Sequence, residues 1–553
     1  MKVYEALASY FGEEGVDTVF GLLGDANMFW MTAMADVAGA QLIHARHENA
    51  AVAMADGYAR TTGRVGVASV TCGPGFTQIP TSLTASVRNS TPLVIFAGDT
   101  PTSATFHLQQ FDQAPLVAAC EAHFVPVKGL DQIADQVQRA FYLAISDRKP
   151  VVLSVPVDLQ EQELDSIPKY HGSRELLPEK QAIAPDKDMI KKVADLLKSS
   201  SRTVLIAGTG AMSSGARDAM IELAERTGAL LATSLKAKGL FAGHPQSAGL
   251  SGGFATSAAR KLFAEADCVI GVGARMGYYT MRAMGSAELF PRATKVQIDT
   301  HPVGHVDGMR VADHLLLGDA RLAVEAIVSV LSSTDYRSSG YHTDENWELL
   351  LAPEIDDYVV EIEPTTMDPR IAFAELDDSL SGDWRIVVGV GHFWNFAVPG
   401  LTARRPRSHE YTYAFGAVGQ GLATAIGTSF GEDRPVALVE GDGSLIMNIQ
   451  ELETLSRINK PILICVINDG GYGAEIHKFE SKGVRGDEAL FGRPDLAGIA
   501  RAFGLNGETV DARGQLGPAI RRFAESPRPT LIDIRVSDRV LSQRYRRQFF
   551  GMP

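Results

Sequence analysis

Residues 435–479 read PVALVEGDGSLIMNIQELETLSRINKPILICVINDGGYGAEIHKF. One apolar run ends in the turn Gly441-Asp442-Gly443, an amphipathic stretch follows, and a second apolar run ends in Asn468-Asp469-Gly470-Gly471. That order is strand, turn, helix, strand, turn, the unit of a parallel sheet. Ligands of such sheets sit beyond the carboxyl ends of the strands, where the two turns fall together. Oxygen-bearing side chains with exposed backbone carbonyls suit a hard cation such as Mg²⁺. A cation at a helix N-terminus would in turn hold a phosphate group. Taken alone, G-D-G is equally an ordinary tight turn.

Outward from this stretch the same alternation recurs. VDTVFGLLG, LIHARH, VGVASVTCG, LVIFAG and VVLSVP read as strands ending in turn residues, with ENAAVAMADGYARTTG and DQIADQVQRAFYLAISD as helices between them. An opening helix carries Val3, Leu7, Tyr10 and Phe11 on one face and closes at Gly15. From about Pro185 the helix DMIKKVADLLKSS leads into TVLIAGTG, DCVIGVGA and TKVQIDT; a third set runs from RIVVGVG to PTLIDIRVS. Loose stretches rich in Pro, Ser and charge separate the sets, near 165–185 and 332–363. The expected fold class is α/β, with three α/β domains built on central parallel sheets at 1–165, 186–335 and 366–553.

A chain of 553 residues is too long for one hydrophobic core. Its net charge of -14 disfavours nucleic acid and anionic membrane, since a phosphate backbone needs a basic face. Cys72, Cys120, Cys268 and Cys465 form no C-x-x-C pair and read as small core residues in a reducing compartment. The start MKVYEALASYFGEEG lacks the apolar run of a signal peptide, and no stretch has the roughly 18 apolar residues of a membrane span. The expected setting is cytoplasmic.

The span from GDGS to INDGGYG resembles the cofactor signature of thiamine-diphosphate enzymes of the acetolactate synthase, pyruvate decarboxylase and benzoylformate decarboxylase type. The resemblance implies thiamine diphosphate and Mg²⁺ as cofactors, with Asp442 and Asp469 as metal ligands and Gly471 giving a backbone carbonyl. Asp469 stands where these enzymes usually carry Asn, so Asn468 is the alternative ligand. Gly441, Gly443, Ser444 and Tyr472 belong to the same cofactor-binding segment. FGAVGQGLATAIG resembles the part that meets the aminopyrimidine, which makes Val418 the apolar wedge and the Gly416 carbonyl an acceptor for the 4'-amino group. GVGHFW would present Gly391 and His392 to the diphosphate.

HARHENAAVAMADGYAR resembles the segment of the activating glutamate, here Glu48. A carboxyl on pyrimidine N1' promotes the imino form whose nitrogen takes the C2 proton, and it works best in a dry pocket. Ala50, Ala51, Val52, Ala53 and Met54 suit such a pocket. Because Glu48 and Asp442 lie on different units, the resemblance implies a homodimer or homotetramer with active sites between subunits. The middle unit, at LIAGTGAMSSGA, GVGARM and VQIDTHP, resembles the central domain of the same group. Its GTG turn and Asp299 could hold FAD, ADP or part of coenzyme A, or form an empty pocket.

Asp25, in LLGDANMFW, stands where 2-oxo acid decarboxylases carry an active-site Asp, and Glu475 matches their glutamate above the thiazolium. His107 falls near their catalytic histidines, and the three would return a proton after CO₂ departs. Aligned with acetolactate synthases or acyl-CoA lyases instead, Gln109 matches a glutamine facing the cofactor, while Lys478 stands in place of an acceptor-binding tryptophan. His477 could line the substrate site or lie on the outer face of its helix. The tail RVLSQRYRRQFFGMP could fold over the site, bind an anionic substrate or form plain surface. The leading expectation is a C–C lyase or carboligase, above all one that decarboxylates a 2-oxo acid, with a 2-oxo acid or acyl donor and an aldehyde as acceptor. The alternatives are an acetolactate-synthase-like transferase, a 2-hydroxyacyl-CoA lyase, a flavin-linked oxidase and a non-catalytic assembly partner.

Overall fold

The computed structural model describes residues 1–179, 181–283, 287–354 and 356–552. Its frame is three six-stranded sheets, each parallel throughout. The first runs in space Gln41–His44, Thr18–Gly21, Gly66–Val70, Leu93–Asp99, Pro150–Pro156, His123–Pro126. The second runs His314–Leu317, Thr294–Asp299, Cys268–Val272, Thr203–Ala207, Leu230–Thr233, Ser247–Leu250. The third runs His409–Tyr411, Arg385–Val388, Val436–Gly441, Ile462–Asn468, Thr530–Arg535, Asn506–Val510. Inner strands such as Val436–Gly441 and Ile462–Asn468 are buried at every residue, which is why they read as unbroken apolar runs with helices on both faces.

Within these three sheets the sequence reading missed six strands, and five of them are sheet edges: His123–Pro126, Ser247–Leu250, His314–Leu317, His409–Tyr411 and Asn506–Val510. An edge strand pairs on one side only, and these are three to five residues long, too short to carry a periodic signature. The sixth, Leu230–Thr233, is only four residues long. The loose stretch near 332–363 is also more ordered than expected. It contains the helix Asp344–Leu351, capped by the Thr343 hydroxyl, which accepts from the Asn346 N–H.

The first and third units share one core. Helix Glu48–Thr62 lies on helix Gly421–Phe430, and Ala51, Met54 and Tyr58 pack with Leu422, Ala425 and Ile426. Two glycines permit the crossing: a Cβ on Gly57 would strike the Thr424 carbonyl, and one on Gly427 the Met54 carbonyl. The middle unit is pinned to both neighbours by lysines. Lys238 Nζ donates to the carbonyls of Val398 and Leu401, each at 2.5 Å, and Lys236 Nζ donates to Asn89 Oδ1. All four cysteines are buried and free. Among the described residues no helix is long and apolar enough to cross a membrane.

Candidate active site

Gly441 and Ile467 are register partners on neighbouring strands, so the turns that follow them lie side by side. The N–H of Gly470 donates to Asp442 Oδ2 at 3.0 Å and ties one turn to the other. Asp442 is 2% exposed, and burial pushes its carboxyl up to about 7. Asp469 is raised further above the usual carboxylate range, first by burial and then by the charge of Asp442. Asn468 is fully buried and turned to the next strand, donating to Asp533 Oδ1 at 2.7 Å.

This donor set fits a hard cation. The buried Asp442 and the half-buried Asp469 follow neighbouring strands, and a cation between them would offset the burial that raises both carboxyls and the charge of Asp442 that adds to it at Asp469. The Gly470 carbonyl already accepts from the N–H groups of Phe491 and Gly492, whereas no described hydrogen bond ends on the Gly471 carbonyl. No cluster of three His, Cys, Asp or Glu side chains gathers among the described residues, so the remaining ligands would be backbone, phosphate and water. Arg493, which the sequence reading did not single out, donates to the carbonyls of Asp469 and Val536 and braces the second turn.

The other third-unit residues surround this pair. A Cβ on Gly473 would meet both Asp469 Oδ2 and His392 Cβ, which brings the Gly391-His392 turn against the Asp469 turn. His392 is buried, its ring centroid 4.5 Å from that of His477 and 4.8 Å from that of Tyr545. His477 therefore faces inward. Burial holds both imidazoles below the usual histidine pKa. The Ser444 hydroxyl is engaged inside the protein: it donates to Glu440 Oε1 at 2.5 Å and accepts from the Gly419 N–H at 2.8 Å. Its role is to brace the glycine segment that carries Gly416 and Val418.

Glu440 was missed, although an acid in the apolar run VALVEG was a readable signal. It is 0% exposed, and burial pushes its carboxyl to about 7. Tyr472 is half exposed and packs edge-on against Phe491. Gly416 adopts a left-handed φ of +70°, which lets the chain turn sharply before Val418.

The first unit gathers a second set at the carboxyl edge of its own sheet. Glu48 heads its helix half-exposed, and a Cβ on Gly75 would lie 3.1 Å from Glu48 Oε1. Gln109 Oε1 accepts from the Cys72 thiol at 3.2 Å, and His107 Nδ1 accepts from the Gln109 N–H. Asp25 is exposed, in a turn where Ala26 N–H reaches Thr71 Oγ1. The hydrogen bonds of the 44–46 segment run to Glu451, Glu453, Thr454 and Arg457 rather than to the Asp442 turn.

Glu475 does not join either set by contact. Its side chain is 52% exposed and accepts from Lys478 Nζ at 3.3 Å. In the middle unit the N–H groups of Gly208 and Gly210 donate to the carbonyls of Val272 and Gly273 instead of facing a phosphate.

Fold and site together define a three-unit α/β protein with chemistry-bearing turns at the carboxyl edges of its first and third sheets. Residues 1–116 match the family "Thiamine pyrophosphate enzyme, N-terminal TPP binding domain", 190–327 the central domain and 389–534 the C-terminal TPP binding domain of the same enzymes. The chain is 30% identical to the acetolactate synthase large subunit of Parasynechococcus marenigrum, over 96% of this chain and 87% of that protein. It is 29% identical to the probable acetolactate synthase large subunit of Methanocaldococcus jannaschii, over 97% and 92%. Identity to acetolactate synthase isozyme 3 large subunit of Escherichia coli is 28%, over 93% and 91%. The chain belongs to the thiamine-pyrophosphate enzymes of acetolactate synthase and pyruvate decarboxylase type, and it is a thiamine-diphosphate-dependent enzyme.

Proposed function

We propose that the chain is a Mg²⁺- and thiamine-diphosphate-dependent carboligase that takes a 2-oxo acid as donor. The observation that carries this reading is the near full-length match to acetolactate synthase large subunits. It moves the balance away from the simple decarboxylase expected first. The placement of Glu475 supports the same shift, because a solvated carboxylate held by Lys478 is poorly suited to deliver a proton in a dry site.

When bound, thiamine diphosphate supplies a nucleophilic carbon that attacks a carbonyl and stabilises the charge left by CO₂. In this reading Asp442, Asp469 and the Gly471 carbonyl hold Mg²⁺, while Gly391 and His392 face the diphosphate. Glu48 holds a proton at the pyrimidine nitrogen, and Gln109 with His107 lines the donor side. Each edge then supplies half a site, and the halves meet between two copies of the chain. The exposed apolar side chains Leu23, Met28 and Phe29 at one edge, and Phe415, Ile446 and Met447 at the other, favour such an assembly.

The test is reconstitution with thiamine diphosphate and Mg²⁺, then pyruvate alone and pyruvate with a second 2-oxo acid or an aldehyde, measuring CO₂ and ligated product. Ligated product in proportion to CO₂ is expected. Stoichiometric free aldehyde with no ligation would return the reading to a decarboxylase.

A further inference from the structure

The C-terminal segment carries three arginines close together, and their surroundings differ. Arg546 donates to Asp356 at 2.5 Å and Arg547 lies 3.5 Å from Glu354. Arg544 has neither a carboxylate partner nor a hydrogen bond at Nε among the described residues. Its guanidinium instead lies over two rings, 4.6 Å from the centroid of Phe254 and 5.4 Å from that of Trp394. Phe254 comes from the middle unit, and Trp394 opens the helix that follows the Gly391-His392 turn. The adjacent Tyr545 packs on His392 and His477. Arg544 is thus a cation held where three parts of the chain converge, next in sequence to the Tyr545 ring that packs on His392.

A half-buried guanidinium without a counter-charge is costly unless something else offsets its lost hydration. Aromatic faces do so by attraction to the π cloud, and they leave the N–H fork unused. That planar fork matches the two oxygens of a carboxylate or phosphate. Of the other cations near the site, Lys478 is taken up by Glu475, and Arg493 donates to the carbonyls of Asp469 and Val536.

We propose that Arg544 binds an oxyanion, carboxylate or phosphate, on the substrate whose carbonyl reacts in this site. The proposal rests on the carboligase reading and deepens it, since it requires a donor or acceptor that carries an anionic group within reach of Arg544.

The test uses the full chain with thiamine diphosphate and Mg²⁺ bound. Pyruvate is measured through its KM for ligated product, and its neutral methyl ester and inorganic phosphate are titrated separately by calorimetry and by fluorescence of Trp394, one of four tryptophans. Arg544→Gln is expected to weaken binding of one anion by about tenfold or more and to leave the ester unaffected. Whichever of pyruvate and phosphate loses affinity identifies the oxyanion. Arg547→Gln is the control and should bind as the parent. Equal anion affinity in parent and Arg544→Gln overturns the proposal. Should Arg544→Gln not fold, Arg544→Lys carries the test: it keeps the charge without the fork, about threefold weaker binding is expected, and unchanged binding overturns the proposal. Retention of thiamine diphosphate is measured separately on each protein. Loss of retention in the parent removes the carboligase reading, while the anion titration still decides the role of Arg544.

Discussion

The carboxylate of Asp442 accepts a hydrogen bond from the N–H of Gly470, 3.0 Å away, so the two strand-end turns form one unit. Asp442→Ala cuts that tie and removes the buried one of the two carboxylates. The parent should gain stability when Mg²⁺ and thiamine diphosphate are added together, by about 2.7 kcal/mol at a hundredfold excess over Kd. The variant should fold and gain nothing. A thermal melt of both proteins checks this, and an equal rise in the variant would remove Asp442 from the cation site.

Asp469→Asn acts on the same turn with the opposite sign. Asp469 is raised in pKa by burial and by Asp442, so its charge strains the cation-free protein. The amide keeps an oxygen donor and deletes the repulsion. Higher stability without added cation and retained cofactor are expected. If binding of the cofactor collapses in this variant, the second carboxylate is essential to the site.

Glu48→Gln preserves shape but cannot exchange a proton at the pyrimidine. Activity should fall by roughly 10²–10⁴-fold, the usual contribution of a positioned acid–base group. Cofactor affinity should change little, because the amide can still hydrogen-bond. Proton exchange at C2 of bound cofactor, followed by NMR, is the direct measurement, and a parent-like rate would reassign Glu48.

How much of this was legible depended on whether the signal was local. The turns at Asp442 and Asp469 were readable because inner parallel strands are unbroken apolar runs that stop at polar turns. Short edge strands such as His409–Tyr411 were not, since three residues carry too little pattern to read. The orientation of Asn468 was not legible either, since Asp533, which accepts from its amide nitrogen, lies 65 positions away. Arg544 reads as one basic residue in a mixed tail; its aromatic shelf is built from Phe254 and Trp394, far off in the chain. Likewise Glu48 stands half-exposed in one chain, although the residues after it are buried: they pack inward against helix Gly421–Phe430.

Gly57→Ala tests that packing through its sign. In an exposed helix interior the change stabilises by about 1 kcal/mol. Here the new methyl would strike the Thr424 carbonyl, part of a backbone that cannot move without shifting helix Gly421–Phe430. A loss of about 1–3 kcal/mol is expected by denaturant unfolding. A stabilised variant would mean that the two helices do not cross this closely.

Glu451 joins the first and third units beside the Glu48 turn. It is 0% exposed, accepts from the Arg46 N–H at 3.0 Å, and accepts from the Thr454 hydroxyl at 2.7 Å. Burial raises its carboxyl from an ordinary 4.5 to about 7, outweighing those hydrogen bonds and the nearby Arg46 and Arg457. A raised folded pKa means that the stability is complete below the unfolded value and is lost as pH climbs through about 7. Glu451→Gln removes this titration while keeping an acceptor for the Arg46 N–H. The substitution has its own fixed cost, so the informative quantity is how the difference between parent and variant changes with pH. From pH 5 to pH 8 the parent should lose about 2–3 kcal/mol relative to the variant. Urea unfolding of both proteins at the two pH values gives that difference. A gap that stays constant across the range would show that Glu451 is ionised throughout and that its burial is relieved in solution.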